Sequence, residues 1–220
     1  MTLQMGLVLS AIAFLGTHFL MSHPLRAPLV RAMGEGPFRV VYSLVAILTF
    51  GAMIYFYGKI GREPPLWDVG EAGWIAGTLL MWLGSILFVG SFVGNPALPG
   101  MRGPSGAPPR GVFAITRHPM MWGFALWGIV HLALVAIPKA LFLDGSIILL
   151  ALAGAAGQDR KKEKLLGDRW YAWVAHTSFI PFARGIRSPG ALAFVGGTVL
   201  WLGATWLHPG HAAGVWRWIG

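Results

Sequence analysis

The chain has 220 residues, of which 55% are hydrophobic and only 11% are charged, whereas about a quarter of the residues are charged in a typical soluble domain. The apolar residues occur in blocks of roughly 20, the length that an α-helix needs to cross a bilayer, so the sequence predicts a polytopic membrane protein. The net charge of +9 therefore does not indicate a nucleic-acid partner, and the absence of cysteine excludes disulfides, thiolate metal ligands and iron–sulfur clusters.

We predict an all-α fold, a single membrane domain over residues 1–220 built as a bundle of about six transmembrane helices. The predicted spans are residues 3–21, 40–57, 73–93, 119–137, 140–156 and 191–207. The first block lacks a basic start and a small-residue cleavage site, so we interpret it as a span and not as a removed signal peptide.

Two segments do not have the pattern of a span. Residues 95–110 hold five prolines among several glycines, which predicts an irregular loop. Residues 157–187 begin with a charged helix and then carry Trp170, Tyr171 and Trp173, a composition that favours a helix at the level of the lipid headgroups. This segment has two alternative roles. It is either a helix that only supports the bundle or a lid over a substrate.

The distribution of Lys and Arg predicts the orientation in the membrane. Thirteen of the 17 basic residues fall in three segments, after the first, third and fifth predicted spans. Because cytoplasmic loops are enriched in Lys and Arg, these three segments are predicted to lie in the cytoplasm and both termini outside it.

Two histidines lie within predicted spans, where an ionisable residue indicates a functional site. At 1.5 Å per residue, His18 lies about 12 Å and His131 about 14 Å from the cytoplasmic interface, so both fall near the bilayer midplane on different helices. Two neutral imidazoles at this depth are suited to hold the iron of a flat porphyrin. The alternative is that each ring hydrogen-bonds a polar group of a neighbouring helix.

The fourth span begins with Thr116-Arg117-His118-Pro119. His118 and His131 are thirteen residues apart, which is about 220° of rotation on one helix, so the two rings cannot ligate the same metal ion. The planar guanidinium of Arg117 is suited to a carboxylate or phosphate of a cofactor, and we predict that Arg117 and His118 are cofactor-binding residues. The alternative is a basic pair that extends to the lipid headgroups.

Three blocks in the chain, in this order, resemble the NnrU protein family. They are Gly16-Thr17-His18 with Pro24-Leu25-Arg26 and Phe38-Arg39-Val40-Val41-Tyr42; Gly111-Val112 with Thr116-Arg117-His118-Pro119 and His131-Leu132; and Leu166-Gly167 with Thr177-Ser178-Phe179-Ile180-Pro181-Phe182. The family is named from denitrification gene clusters of bacteria, and it is similar to the zeta-carotene isomerase of plants and cyanobacteria, a haem b membrane protein that turns a cis double bond to trans.

The resemblance implies haem b with His18 and His131 as its axial ligands, Arg26 or Arg117 near the propionates, and a hydrophobic substrate such as a polyene or another membrane lipid. It also implies the inner (plasma) membrane of a bacterium. A cysteine that can exchange with a haem ligand has been linked to the isomerase; this chain has none, so that exchange is excluded. A non-enzymatic factor that responds to haem or nitric oxide is an alternative function.

A second, more distant resemblance concerns the residues Arg117-His118-Pro119 and Glu163 with Gly167, Trp170 and Trp173. They are similar to membrane methyltransferases that modify isoprenylcysteine or phospholipid amines. That resemblance implies S-adenosylmethionine bound between His118 and Glu163.

Overall fold

The computed structural model describes residues 2–95, 104 and 108–219, and these residues form helices and turns without a strand, which confirms the all-α fold. Most of the predicted irregular loop 95–110 lies outside the described residues. The chain divides into two compact units, one of residues 1–68 with 131–150 and the other of residues 69–130 with 151–220.

The first unit is organised on α1 (Leu3–Ser22) and α3 (Glu35–Lys59), joined by the short α2 (Arg26–Met33). The hydroxyl of Thr2 accepts a hydrogen bond from the Met5 N–H at 3.1 Å and caps the start of α1. A buried apolar cluster joins α1 and α3 to the first part of α7 (Pro138–Leu166). Its core residues are Leu7, Ala11, Phe14, Met53, Ile60 and Leu143.

The second unit contains α4 (Gly70–Gly90), α5 (Val112–Ile115), most of α6 (Pro119–Val135), α8 (Asp168–His176), α9 (Ala191–Trp206) and α10 (Trp216–Ile219). Helices α4 and α9 pack closely because Gly197 has no side chain. A Cβ atom at Gly197 would lie 2.4 Å from the Cα atom of Ile86. The core of this unit consists of Ile86, Leu87, Val112, Phe113, Ile115, Leu126, Trp170, Trp173 and Ala193.

Among the described residues, four helices are long and apolar enough to cross a membrane: α1, α3, α4 and α7. Only 6% of the residues in the most apolar part of α3 are buried, and the exposed apolar residues of such a helix are expected to face lipid. Apolar helices also form at the fourth and sixth predicted spans, but α6 has 17 residues and α9 has 16. The protein is therefore a helical membrane protein, and the count of six spans stays a prediction.

Helix α7 continues ten residues beyond the end predicted at residue 156. Residues 158–166 are mostly Lys, Arg, Glu, Gln and Leu, which favour a helix whether or not it is apolar. The helix ends before Gly167, whose φ of +52° suits glycine. The charged start of segment 157–187 thus belongs to α7, and α8 is a separate helix whose place at the membrane surface stays a prediction.

Candidate functional site

His18 lies near the end of α1, in the first unit. Its Nδ1 atom is 2.7 Å from the carbonyl oxygen of Phe14, and because a carbonyl only accepts, Nδ1 carries the proton. The ring packs edge-on against Phe14 at 4.3 Å and Tyr42 at 5.5 Å between centroids. The imidazole is therefore held in one tautomer, in which Nε2 keeps the lone pair that a metal ligand needs.

His131 lies on α6 and belongs to the same compact unit as His18, and its side chain is half-buried. The end of α6, which follows His131, is held by hydrogen bonds from the segment before α4. The Trp67 indole donates to the carbonyl of Ala133 at 3.0 Å, and the Leu66 N–H donates to that of Ala136 at 2.6 Å. Both predicted metal ligands thus stand on helices of one unit, and their pairing as axial ligands stays a prediction.

Arg26 begins α2 and forms a surface ion pair. Its Nη2 atom donates to Oε1 of Glu35 at 2.7 Å, and Arg39 donates to the same oxygen at 3.2 Å. The Arg26 guanidinium also lies over the ring of Phe38, 5.5 Å from its centroid. The side chains of Arg26 and Glu35 are 31% and 40% exposed, so the pair is open to exchange with another anion.

In the second unit, Asp159 of α7 binds both Arg117 and His118, and we call these three residues the Asp159 cluster. Arg117 donates from Nε at 2.9 Å and from Nη2 at 2.6 Å to Oδ2 of Asp159, while His118 donates from Nε2 at 2.8 Å to Oδ1. Only 1% of the His118 side chain and 12% of the Arg117 side chain are exposed. The alternative in which this basic pair extends to lipid headgroups is therefore wrong.

A loop after α8 encloses the Asp159 cluster, and we call residues 177–182 the 177–182 loop. The Thr116 hydroxyl donates to the carbonyl of Phe179 at 2.7 Å, and the Trp122 indole donates to the same oxygen at 2.8 Å. The Arg117 N–H donates to the Ser178 carbonyl at 2.9 Å. The ring of Phe179 packs on His118 at 5.2 Å and thereby shields the cluster from solvent.

Glu163, the acidic residue of the methyltransferase resemblance, lies one turn beyond Asp159 on α7. It accepts a hydrogen bond from the Tyr171 hydroxyl at 2.6 Å. This hydrogen bond, together with the negative charge of Glu163, raises the pKa of the exposed Tyr171 phenol above its ordinary value. The carboxylate nearest to His118 is therefore Asp159 and not Glu163.

The sequence profile of the family described as "NnrU protein" matches residues 6–216, nearly the whole chain. The chain belongs to the NnrU family. The matched range includes His18, Arg26, the Asp159 cluster and His131, so all the predicted site residues lie in the part of the chain that the family shares.

This NnrU-family chain is similar to two plant proteins named 15-cis-zeta-carotene isomerase, chloroplastic. The one from Arabidopsis thaliana is 26% identical over 167 residues, which are 70% of this chain and 43% of the relative. The one from Zea mays is 26% identical over 198 residues, 81% of this chain and 53% of the relative. The chain thus spans about half the length of the curated relatives it matches. No solved structure matches the chain.

The side chains of this NnrU protein include donor atoms that are suited to bind a haem iron. The hydrogen bond to the Phe14 carbonyl orients the His18 imidazole and leaves its Nε2 lone pair for an iron ion, with the ring of Phe14 beside it. Within the described ranges, no three His, Asp or Glu side chains gather as a metal site, whereas a porphyrin that supplies four nitrogens itself needs only one or two protein ligands.

Asp159 is the residue of the cluster that sequence reasoning missed. It stands 42 residues from Arg117 along the chain, in a run of mostly basic residues. A signal was present, because Asp159 follows the fifth predicted span on the same predicted cytoplasmic side as Arg117 and His118, and an acidic residue there is a natural ion-pair partner.

The Thr116 hydroxyl is expected to stabilise the 177–182 loop. Replacing the buried Thr116 with valine keeps the shape but removes one of the two donors to the Phe179 carbonyl and the hydroxyl that accepts from the buried His118 N–H at 3.3 Å, so we expect a loss of about 1–3 kcal/mol in the free energy of unfolding. Denaturant titration of the purified protein in detergent measures this loss. Thr49→Val is the control: that hydroxyl bonds only carbonyls of its own helix, and we expect a change within about 0.5 kcal/mol. Equal losses for the two variants would contradict the role of Thr116.

Proposed function

We propose that the protein is a haem b-binding membrane protein with isomerase-like activity on a polyene or another lipid within the bilayer. The observation that carries this proposal is the 2.7 Å hydrogen bond from His18 Nδ1 to the Phe14 carbonyl, which leaves Nε2 as a metal ligand within an apolar membrane helix. The similarity to proteins named 15-cis-zeta-carotene isomerase supports the reaction class.

His18 and His131 are the residues that would hold the haem iron. When bound, the haem iron supplies electron density that can be shared with a conjugated double bond, which lowers the barrier to rotation. The protein contributes the orientation of the ligands: the Phe14 carbonyl fixes the proton of His18, and the rings of Phe14 and Tyr42 hold the imidazole plane.

Arg26 is a better candidate than Arg117 for contact with a haem propionate. It lies eight residues after His18, in the same compact unit, and its present partner Glu35 is exposed. The guanidinium of Arg117 is instead bound to Asp159 through two nitrogens, in the other unit. We therefore propose that Arg117 and His118 have a structural role and hold α7 and the 177–182 loop in place.

An apolar substrate can reach this protein from the bilayer. Helix α3, which carries Tyr42, has most of its apolar residues exposed or only half-buried. We propose that the substrate enters laterally from lipid.

We also propose that the basic segments lie in the cytoplasm and that both termini lie outside it.

The contacts of Glu163 and Asp159 do not favour the methyltransferase alternative, because both carboxylates already bind protein groups.

Absorption spectroscopy tests the proposed cofactor. Protein purified from haem-replete cells should show a Soret band and about one haem per chain in its oxidised and reduced forms. His18→Ala and His131→Ala should each lose most of this band, because each removes one axial ligand. His176→Ala is the matched control, since that residue is exposed on α8, and it should keep the haem. A colourless wild-type protein would overturn the cofactor assignment.

The reaction is tested separately from the cofactor. The haem-loaded protein is incubated with 15-cis-zeta-carotene in lipid vesicles, and the geometric isomers are separated by chromatography. Formation of the trans isomer by the wild type and its absence with His18→Ala is the expected result. A fully loaded protein that leaves the isomer ratio unchanged would contradict the proposed reaction on this substrate and leave the haem site standing.

A further inference from the structure

Helix α7 carries an acidic residue, Asp144, inside its apolar part. Only 3% of this residue is exposed. Its neighbour Leu143 is part of the apolar cluster of the first unit, and Ile147 packs against that cluster. In the other apolar helices that the structure describes, acidic residues lie only in the first turn. An ionisable residue within a membrane helix is costly and usually marks a functional site.

The carboxylate of Asp144 lacks a partner of opposite charge. Among the described residues, none donates a hydrogen bond to it or forms an ion pair with it. Lys139, five residues earlier on α7, binds other groups. Its Nζ atom donates to the carbonyls of Ile60 at 2.8 Å and Gly61 at 3.2 Å, and it lies 4.8 Å from the centre of the Tyr57 ring. Buried charges in native proteins are paired or hydrogen-bonded, so Asp144 indicates a ligand that brings positive charge.

The groups around this part of α7 favour a ligand with a single charge. The phenol of Tyr57 on α3 lies within electrostatic range of both Asp144 and Glu63. Glu63 itself accepts a hydrogen bond from the Lys139 N–H at 2.8 Å and so holds the start of α7. The residues that α1 contributes to the buried cluster are all apolar: Leu7, Ala11 and Phe14.

A divalent metal ion does not suit this site. Such ions usually bind several oxygen ligands, including more than one carboxylate. Because Glu63 is bound to the start of α7, Asp144 supplies the one carboxylate left for a ligand among these groups. Within the described ranges, no three His, Asp or Glu side chains gather as a metal site.

We propose that Asp144 binds a monovalent cation in the membrane part of the first unit. The proton and the alkali ions share the chemistry that the site requires, which is one positive charge and a small size. At 1.5 Å per residue, Asp144 lies about 9 Å from the start of α7, where Lys139 and Glu63 form a polar end through which the ligand reaches the carboxylate. None of these groups is a proposed haem ligand, so the site does not rest on the proposed function.

Infrared spectroscopy of the purified full chain in lipid nanodiscs tests the proposal and separates the two kinds of cation. A proton converts the carboxylate to a neutral acid, so the first arm raises the pH in choline chloride and looks for an acid carbonyl band that is lost. An alkali ion pairs with the ionised group, so the second arm replaces choline with Na⁺ or K⁺ at constant pH and looks for a shift of the carboxylate bands. Asp144→Asn keeps the shape, and we expect it to lose the responding band completely.

Glu63→Gln is the matched control. Glu63 is a half-buried acid of the same unit, and glutamine can still accept the hydrogen bond from the Lys139 N–H, so this variant should keep the response. Thermal unfolding gives a second measurement, because a bound cation should raise the midpoint of the wild type and not that of Asp144→Asn.

Three outcomes would overturn the proposal. The first is an ionised Asp144 that responds to neither protons nor alkali ions. The second is a response that persists in Asp144→Asn, and the third is a response that Glu63→Gln also loses.

Discussion

Replacing Asp159 with alanine is expected to lower the free energy of unfolding by about 3 kcal/mol. The change leaves Arg117 and His118 without the carboxylate that accepts three of their hydrogen bonds at 2.9 Å or less. We place the loss at the lower end of the range for buried pairs because the Asp159 side chain is 19% exposed. Denaturant titration in detergent micelles, followed by circular dichroism, measures it.

The control for this prediction is the pair of Arg26 with Glu35, in which the Arg Nη2 atom also donates to a carboxylate at less than 3 Å. Glu35→Gln removes the charge that binds Arg26, in a pair whose side chains are 31% and 40% exposed. Exposed pairs contribute about 0–1 kcal/mol, so this variant should unfold nearly as the wild type does. Similar small losses for Asp159→Ala and Glu35→Gln would show that the Asp159 cluster does not stabilise the second unit.

A methyl group at Gly197 is expected to separate α4 from α9. The added Cβ would lie 2.4 Å from the Cα and 2.7 Å from the backbone nitrogen of Ile86, and backbone atoms cannot turn away as a side chain can. Overpacking of this kind costs about 1–3 kcal/mol, and we expect Gly197→Ala to reach the upper end. Thermal unfolding of the purified protein should show the loss as a lower midpoint.

Gly203→Ala on the same helix is the matched control. A Cβ atom at Gly203 would meet nothing within 4 Å. Because alanine favours a helix by up to about 1 kcal/mol over glycine, this variant should be as stable as the wild type or slightly more so. The two substitutions are thus expected to act in opposite directions, and a common direction would contradict the close packing of α4 on α9.

The positions of the helices could be predicted from the sequence because apolar blocks fix where a membrane helix must lie. The predicted first span ends within one residue of the observed α1, at Ser22. The start of α3 was predicted five residues too late, since Glu35 and Arg39 are charged and a hydropathy pattern does not detect a helical turn that faces water. The same limit explains the continuation of α7 to Leu166.

The site was predictable only in part, and the reason differs between its residues. His18 and His131 stand out because histidine is rare in apolar helices. The hydrogen bond that fixes the His18 proton runs to the carbonyl of Phe14, a group that every residue has, so no pattern reveals it. Asp159 joins Arg117 across 42 positions, and such a contact depends on how the helices pack.

The 177–182 loop is held mainly through backbone oxygens. Thr116, Arg117 and Trp122 all donate to carbonyls of Ser178 or Phe179, and carbonyls are common to all residue types. Ile180, whose side chain is 61% exposed, can therefore change identity without loss of these bonds. Removal of one residue would instead move the following carbonyls by about 3.5 Å, beyond the reach of their donors. A deletion within this segment is thus expected to disturb it more than a substitution at Ile180.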